Sequence, residues 1–333
     1  MYVEAQPLGG GPKGSQGDAL WTAPNPPIGA AFSFYLKEAP KTRKATRQAA
    51  EKETVKKGAD VPVPTWDDLR KEDQEEPPVV AFTVTDAGGN VVRRLTTPAG
   101  AGIQRVTWDL RYPAAAPLTG APARPREDDD DGPSGPMAAP GTFRVQMAIR
   151  TDGVEVAAGE PQTFEARPLG QGTLPAPDRK QVAEFNQGAA ELQRAAMGSG
   201  ASLGELELRL RLLAQAIEQT PRASAALRDT VRAVRTVAVA LRTEFSGDQT
   251  IGSRSEPIPT TVMGRIQRVI GSLWSSTAAP TVTHRRSLAI ASEQLGTFLP
   301  KLRALADQLK RLGDQAESAG APWTPGRSPA WRP

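Results

Sequence analysis

The hydrophobic period changes once along this chain, and that change limits the folds open to it. Between Val79 and Glu165 apolar residues tend to alternate with polar ones, whereas from Val182 to Leu312 they recur at intervals of three and four. The first spacing belongs to half-buried strands and the second to amphipathic helices. A chain divided this way keeps its sheet apart from its helices, which predicts a multi-domain α+β protein rather than an alternating β-α-β fold. Length agrees, since 333 residues at ~150 per domain give roughly two domains with linkers. Gly and Pro number 31 each, so long irregular connections are expected between the modules.

In the first half, Ala31 to Leu36 alternates aromatic and small residues as a strand does. Lys41 to Lys57 is rich in helix formers and nearly devoid of large apolar residues, which predicts a solvated helix. From Asp60 to Glu76 the charge reverses, with a second short helix around Trp66 to Arg70. These two pieces are expected to lie against each other as an excursion from the sheet. Val80 to Thr85, a turn at Asp86 to Asn90, and Val91 to Leu95 read as a β-hairpin. Ile103–Trp108, Thr142–Ile149, Val154–Val156 and Gln162–Glu165 bring the strands to about seven, enough for an immunoglobulin-like β-sandwich.

The second half predicts a helical bundle. Asp178 is placed to cap a helix carrying Val182, Phe185, Ala189, Leu192 and Ala196. Ser202 to Glu205 has capping-box spacing and is expected to open a separate helix with Leu206, Leu210, Leu213 and Ile217. Further stripes run from Leu227 to Phe245, from Ile266 to Leu273 and from Leu288 to Leu312. Pro300 should kink or restart the last of these, because it lacks a donor and clashes with the preceding turn.

Chemistry is sparse. The absence of Cys removes disulfides and thiolate ligands, and the single His284 removes a His-rich metal site and leaves one imidazole for any Ser-His-Asp mechanism. His284 is expected on the surface or in a cap at the start of the last helix. The carboxylate pairs Asp67-Asp68 and Glu75-Glu76 do not face one substrate, because neighbours on a helix point about 100° apart. Glu127 to Asp131 lacks EF-hand spacing and reads as a solvated loop. Arg228, Arg232, Arg235 and Arg242 share a helix face, which is the ordinary polar face of an amphipathic helix, and no stacking aromatics or helix-turn-helix accompany it. No catalytic, metal or cofactor site is therefore expected. No apolar run reaches the ~18 residues that would cross a bilayer, and the start at Met1 has no export signal.

Three blocks resemble the immunoglobulin-like domain of FlgD type: Asp86 to Leu95, Ala101 to Asp109, and Pro140 to Val145. The resemblance implies that Asp86 and the glycines close a hairpin turn, that Trp108 fills the sandwich core, and that Gly141 lets the chain enter the last long strand. The connection from Tyr112 to Pro140 is longer than that family's. More widely, Gly17 to Ala30 with Trp21, Pro64 to Arg70, and Gly320 to Arg327 resemble the C-terminal region of sortilin-like BNR-repeat proteins labelled glycosyl hydrolases. In that family a β-propeller precedes this region and holds any hydrolase site. Ser15 to Trp21 has its Asp and Gly in the wrong places for an Asp-box, and no blade repeat is present, so a propeller is missing from this chain.

The expected organisation is a Gly/Pro-rich linker over 1–28 and a sandwich over 29–170, interrupted by a charged helical insertion at 37–78 and an irregular one at 113–140. A bundle over 178–313 follows, then a Pro/Trp tail over 314–333. In the tail, Trp323 is expected to dock in a groove, with Trp331 beyond it. The resemblance implies a non-catalytic accessory region, without cofactor, that packs against a β-propeller and presents a surface for an envelope protein or glycan outside the cytoplasm. The alternatives are a fragment or subunit of a sialidase-like glycoside hydrolase and a basic bundle that binds nucleic acid, the latter disfavoured by the missing reading motif.

Overall fold

The structure is a computed structural model and describes residues 28–118, 135–168, 178–274, 278–329 and 331. It divides into two compact units, one β-rich and one helical. In chain order the first contains β1 (Ala30–Leu36), α1 (Arg43–Lys56), α2 (Trp66–Gln74), β2 (Val79–Asp86), β3 (Val91–Pro98), β4 (Gly102–Trp108), β5 (Gly141–Thr151), β6 (Val154–Ala157) and β7 (Gln162–Ala166). The second contains α3 (Arg179–Glu218), α4 (Ala225–Ser246), α5 (Gln249–Gly252), α6 (Val262–Leu273) and α7 (Val282–Ser318).

Both sheets are antiparallel. β1 pairs with β4, and the larger sheet runs β3-β2-β5-β6, with β7 also bonded to β5. β5 is long enough to serve two partners in succession, β7 at its start and β6 at its end. The β2–β3 turn is held by Asp86, whose Oδ1 accepts from the backbone N–H groups of Gly88 and Asn90, each at 2.9 Å. These bonds and those from the Asn90 side chain, which contribute most, hold the Asp86 carboxyl below its usual range.

The two sheets share one core. Phe34 and Leu36 of β1, Val80, Phe82 and Val84 of β2, and Phe143 and Val145 of β5 close around Trp108, which is 0% exposed. Trp108 meets Phe143 edge-on at 5.1 Å between ring centroids and donates its indole N–H to the Arg111 carbonyl at 2.9 Å. A buried aromatic with its one donor satisfied packs at little polar cost. β5 begins at Gly141. Its φ is not positive and an added Cβ would meet nothing within 4 Å, so the strand begins there without needing a glycine.

In the helical unit, side-chain contacts fix the helix directions. Arg285 near the start of α7 reaches Gln181 and lies over the Phe185 ring near the start of α3, while Arg209 toward the end of α3 reaches the Gly326 carbonyl beyond α7. α3 and α7 therefore run parallel. α4 runs back against both, with Arg242 on Glu207 and Lys301 on Glu244. α6 continues in the direction of α4, its Ser272 meeting His284 at the start of α7. The middle column of the unit is thus a helix broken at 247–261, and α4 and α6 bury Val231, Val234, Leu241, Ile266 and Ile270 in succession into the same core.

One helix boundary differs from the sequence expectation. No helix starts at Ser202, because α3 is one helix of 40 residues, ~60 Å long at ~1.5 Å per residue. Its buried stripe, Ala189, Ala196, Leu203, Leu206 and Leu210, runs through the glycines without a break. Gly200 faces Phe245, where a Cβ would come within 2.9 Å of the ring. Phe245 in turn packs on Phe298 at 4.9 Å, so the glycine makes room for a ring. Nor does α7 restart at Pro300. Phe298, Leu302 and Leu305 are buried on either side of it, and that burial outweighs a cost of about 3 kcal/mol for an interior proline.

The tail also differs. Trp323 is 57% exposed, its indole N–H donating only to the nearby Arg327 carbonyl at 2.8 Å, and Trp331 is exposed as well. The tail folds back through Thr324, which is buried, and Arg327. The Arg327 stem lies on Gly313 and its guanidinium pairs with Glu317 at 3.2 Å. A long stem ending in a fork covers apolar surface and meets a carboxylate together, which an indole cannot do.

Candidate interaction surface

The excursion between β1 and β2 is the most unusual surface in the structure. Thr42 caps α1 by accepting from the Ala45 N–H at 3.1 Å, and Thr65 caps α2 by accepting from the Asp68 N–H at 3.2 Å. Neither helix buries a single residue. Helices of 14 and 9 residues are marginal in water without tertiary packing, so the polar links around them matter.

Arg47 is the centre of those links. Its Nε and Nη2 fork onto the two Glu72 oxygens at 2.7 and 2.8 Å, and Nη1 reaches Glu51 at 2.5 Å. The Arg43 backbone N–H donates to Glu75 at 2.6 Å, and the Arg43 side chain pairs with Asp152 in the β5–β6 turn at 3.1 Å. The hairpin is thus tied to itself and to the sheet by charge-assisted bonds. Between the helices lies a cleft of about 500 Å³ lined by Ala50, Thr54, Pro62, Val63 and Pro64 with Arg47 beside them. Val63 is 89% exposed and Trp66 77% exposed, with Val55 also exposed nearby in sequence.

Hydrogen bonds from Arg47 hold the Glu72 carboxyl below its usual range, and those to Glu72 and then Glu51 raise Arg47. A carboxyl whose pKa is lowered by folding stabilises the fold above its unfolded pKa of about 4.3, and that contribution is lost as the pH falls through the folded value. Hydrogen exchange along α1 is accordingly expected to quicken as pH drops below that range, after correction for intrinsic rates, and Glu72→Gln should remove the step. An α1 whose protection ignores both changes would show that the Arg47–Glu72 link does not hold the hairpin.

The remaining sequence candidates do not converge on a reaction centre. Asp67 pairs with Arg70, Asp68 accepts from the Thr65 hydroxyl, and Glu75 serves Arg43, each separately. His284 completes a capping box, accepting the Thr281 N–H at Nδ1 (3.3 Å) while its own N–H donates to Thr281 Oγ1 (3.2 Å). Arg228 faces Glu218, Arg232 faces Asp229 and Arg242 forks onto Glu207, while Arg235 is exposed. Among the described residues no group of three or more acidic or His side chains is placed to hold a metal ion, and no helix is long and apolar enough to cross a membrane. Trp21, the Ser15 to Trp21 stretch and the acidic run Glu127 to Asp131 lie outside the described residues.

Sequence reasoning missed Arg47 and Arg327 as anchors. The only signal for the first was the reversal of charge between the two halves of the excursion, and for the second an Arg next to a glycine in a Pro-rich tail. Comparison with family models, with curated proteins and with solved structures returns no match.

Proposed function

We propose that the chain is a non-catalytic interaction module of the sortilin-like BNR kind, an Ig-like sandwich joined to a helical bundle and working outside the cytoplasm. Its partner is a β-propeller, in the same polypeptide or a separate one, and it presents a surface for an envelope protein or glycan. Two sheets sharing a core around Trp108 support the sandwich reading, and the shared core of α3, α4, α6 and α7 supports the bundle. The observation that carries the functional reading is the α1–α2 hairpin, which buries none of its residues yet is pinned by ion pairs and exposes Val63 and Trp66. Apolar groups displayed on a polar-linked frame are characteristic of a docking surface, where aromatic anchors carry much of the affinity.

On this reading the isolated chain turns over neither sialosides nor aryl glycosides. Assay of both classes tests the non-catalytic half of the proposal. Turnover that a single Asp or Glu substitution abolishes would make the chain a glycosidase and overturn it.

A further inference from the structure

The smaller sheet turns one face to the core and the other away from it. Phe34, Leu36 and Trp108 are buried, and Phe32 and Val106 pack beside them. A slip of one residue would turn all of them outward, so the core fixes which side chains the other face shows. Those are Ala31, Ser33 and Tyr35 of β1 and Ile103, Arg105 and Thr107 of β4, and none of them is buried. The pairing sets them in rungs, with Tyr35 opposite Ile103, Ser33 opposite Arg105 and Ala31 opposite Thr107. Opposite side chains on one face stand ~5 Å apart at Cβ, and successive rungs ~7 Å apart.

This face has the composition of a recognition patch. Tyr35 is 65% exposed and Ile103 83% exposed, side by side on the first rung. Arg105 is the face's single charge. Its one bond among the described residues runs from Nε to the Ser33 hydroxyl oxygen at 3.2 Å, so no carboxylate answers it. Ser33 thus steadies the guanidinium and leaves its terminal nitrogens as a fork that can take both oxygens of a carboxylate. Tyr and Arg are also the residue types that carry much of the binding energy at interfaces. A nucleic acid or an anionic lipid surface is held by several cations, whereas this face has one. A carboxylate with apolar neighbours suits it better. An extended segment with such groups at alternate positions repeats the spacing of the rungs.

We infer that the outer face of β1 and β4 docks an extended acidic segment of a partner protein, its carboxylate on Arg105 and an apolar side chain two positions away over Tyr35 and Ile103. The site is separate from the α1–α2 surface and does not rest on that reading. The probe is the end-blocked peptide Thr-Leu-Thr-Glu-Thr-Val-Thr, titrated into the isotope-labelled full chain. Binding is followed by NMR at the backbone amides of both strands and at the Arg105 Nε–H. Saturable shifts centred on Ala30–Leu36 and Gly102–Trp108 are expected. Arg105→Gln in the chain, or Gln in place of Glu in the peptide, should weaken binding by about tenfold or more. Tyr35→Ser should weaken it by a similar factor, about tenfold. Both substituted positions are exposed, and unshifted resonances elsewhere verify the fold. The peptide Thr-Thr-Leu-Glu-Val-Thr-Thr keeps the composition but loses the alternation, and should bind about as weakly as the Gln peptide. No saturable shift on the two strands, binding that either chain substitution leaves unchanged, or equal binding of the two peptide orders would each overturn the assignment. So would shifts that inorganic phosphate reproduces, which would reduce the site to a lone cation.

Discussion

Replacing Trp108 by alanine is expected to unfold the β-rich unit or bring it close to unfolding, at a cost of ~3–5 kcal/mol from lost burial and the cavity left behind. The residue has no exposed surface and reaches from β4 of the smaller sheet onto the larger one through Phe143 and Phe164. Its loss also removes the hydrogen bond from the indole to the Arg111 carbonyl. Thermal unfolding followed by near-ultraviolet circular dichroism checks this, with the far-ultraviolet helical signal of α3, α4, α6 and α7 as the internal control. Trp108→Phe, which refills most of the volume, should recover part of the loss. An unshifted transition in Trp108→Ala would mean that the two sheets are not built around this ring.

The second large effect is expected in the tail, and it separates two residues that the sequence makes look equivalent. Arg327→Ala removes a side chain that is 8% exposed and paired with Glu317, itself 30% exposed. Breaking a buried pair costs up to ~3–5 kcal/mol, and the partial exposure of Glu317 brings the expectation to about 2 kcal/mol. In a unit of this size that lowers the melting temperature by about 4–8 °C. Trp323→Ala, at an exposed position, should change stability by less than about 0.5 kcal/mol. Calorimetry of both variants decides between them. The reverse ranking would show that the indole, and not the guanidinium, holds the tail.

What could be read in advance follows from whether the signal is local. Alternation in Val80 to Thr85 and the repeats through Leu227 to Phe245 are written into neighbouring residues, and the strands and helices fall there with small shifts at their ends. The Asp178 cap was legible for the same reason, since a side chain three residues from its donor needs nothing distant. Ser202 and Pro300 carried local signals just as clear, but tertiary packing overrode them: Phe245 fills the space at Gly200, and Phe298 and Leu302 bury α7 across its proline. The parallel course of α3 and α7 depends on contacts such as that of Arg285 with Gln181, more than a hundred residues apart. Nothing in the sequence paired Arg47 with Glu72, 25 residues away, although the opposite charge of the two segments was evident. The candidate surface was therefore legible as an element but not as a frame with Trp66 and Val63 on display.

The central claim, that the α1–α2 hairpin is a docking surface for a propeller, is tested most directly by isothermal titration of the full chain with an isolated BNR propeller domain of the sortilin-like kind. Wild-type chain is expected to bind with a defined stoichiometry. Trp66→Asp and Val63→Asp, both at exposed positions and so not expected to disturb folding, should each weaken binding, by about 30-fold or more for a residue acting as an aromatic anchor worth at least ~2 kcal/mol. Absence of binding by the wild-type chain, or binding that both variants leave unchanged, would contradict the claim.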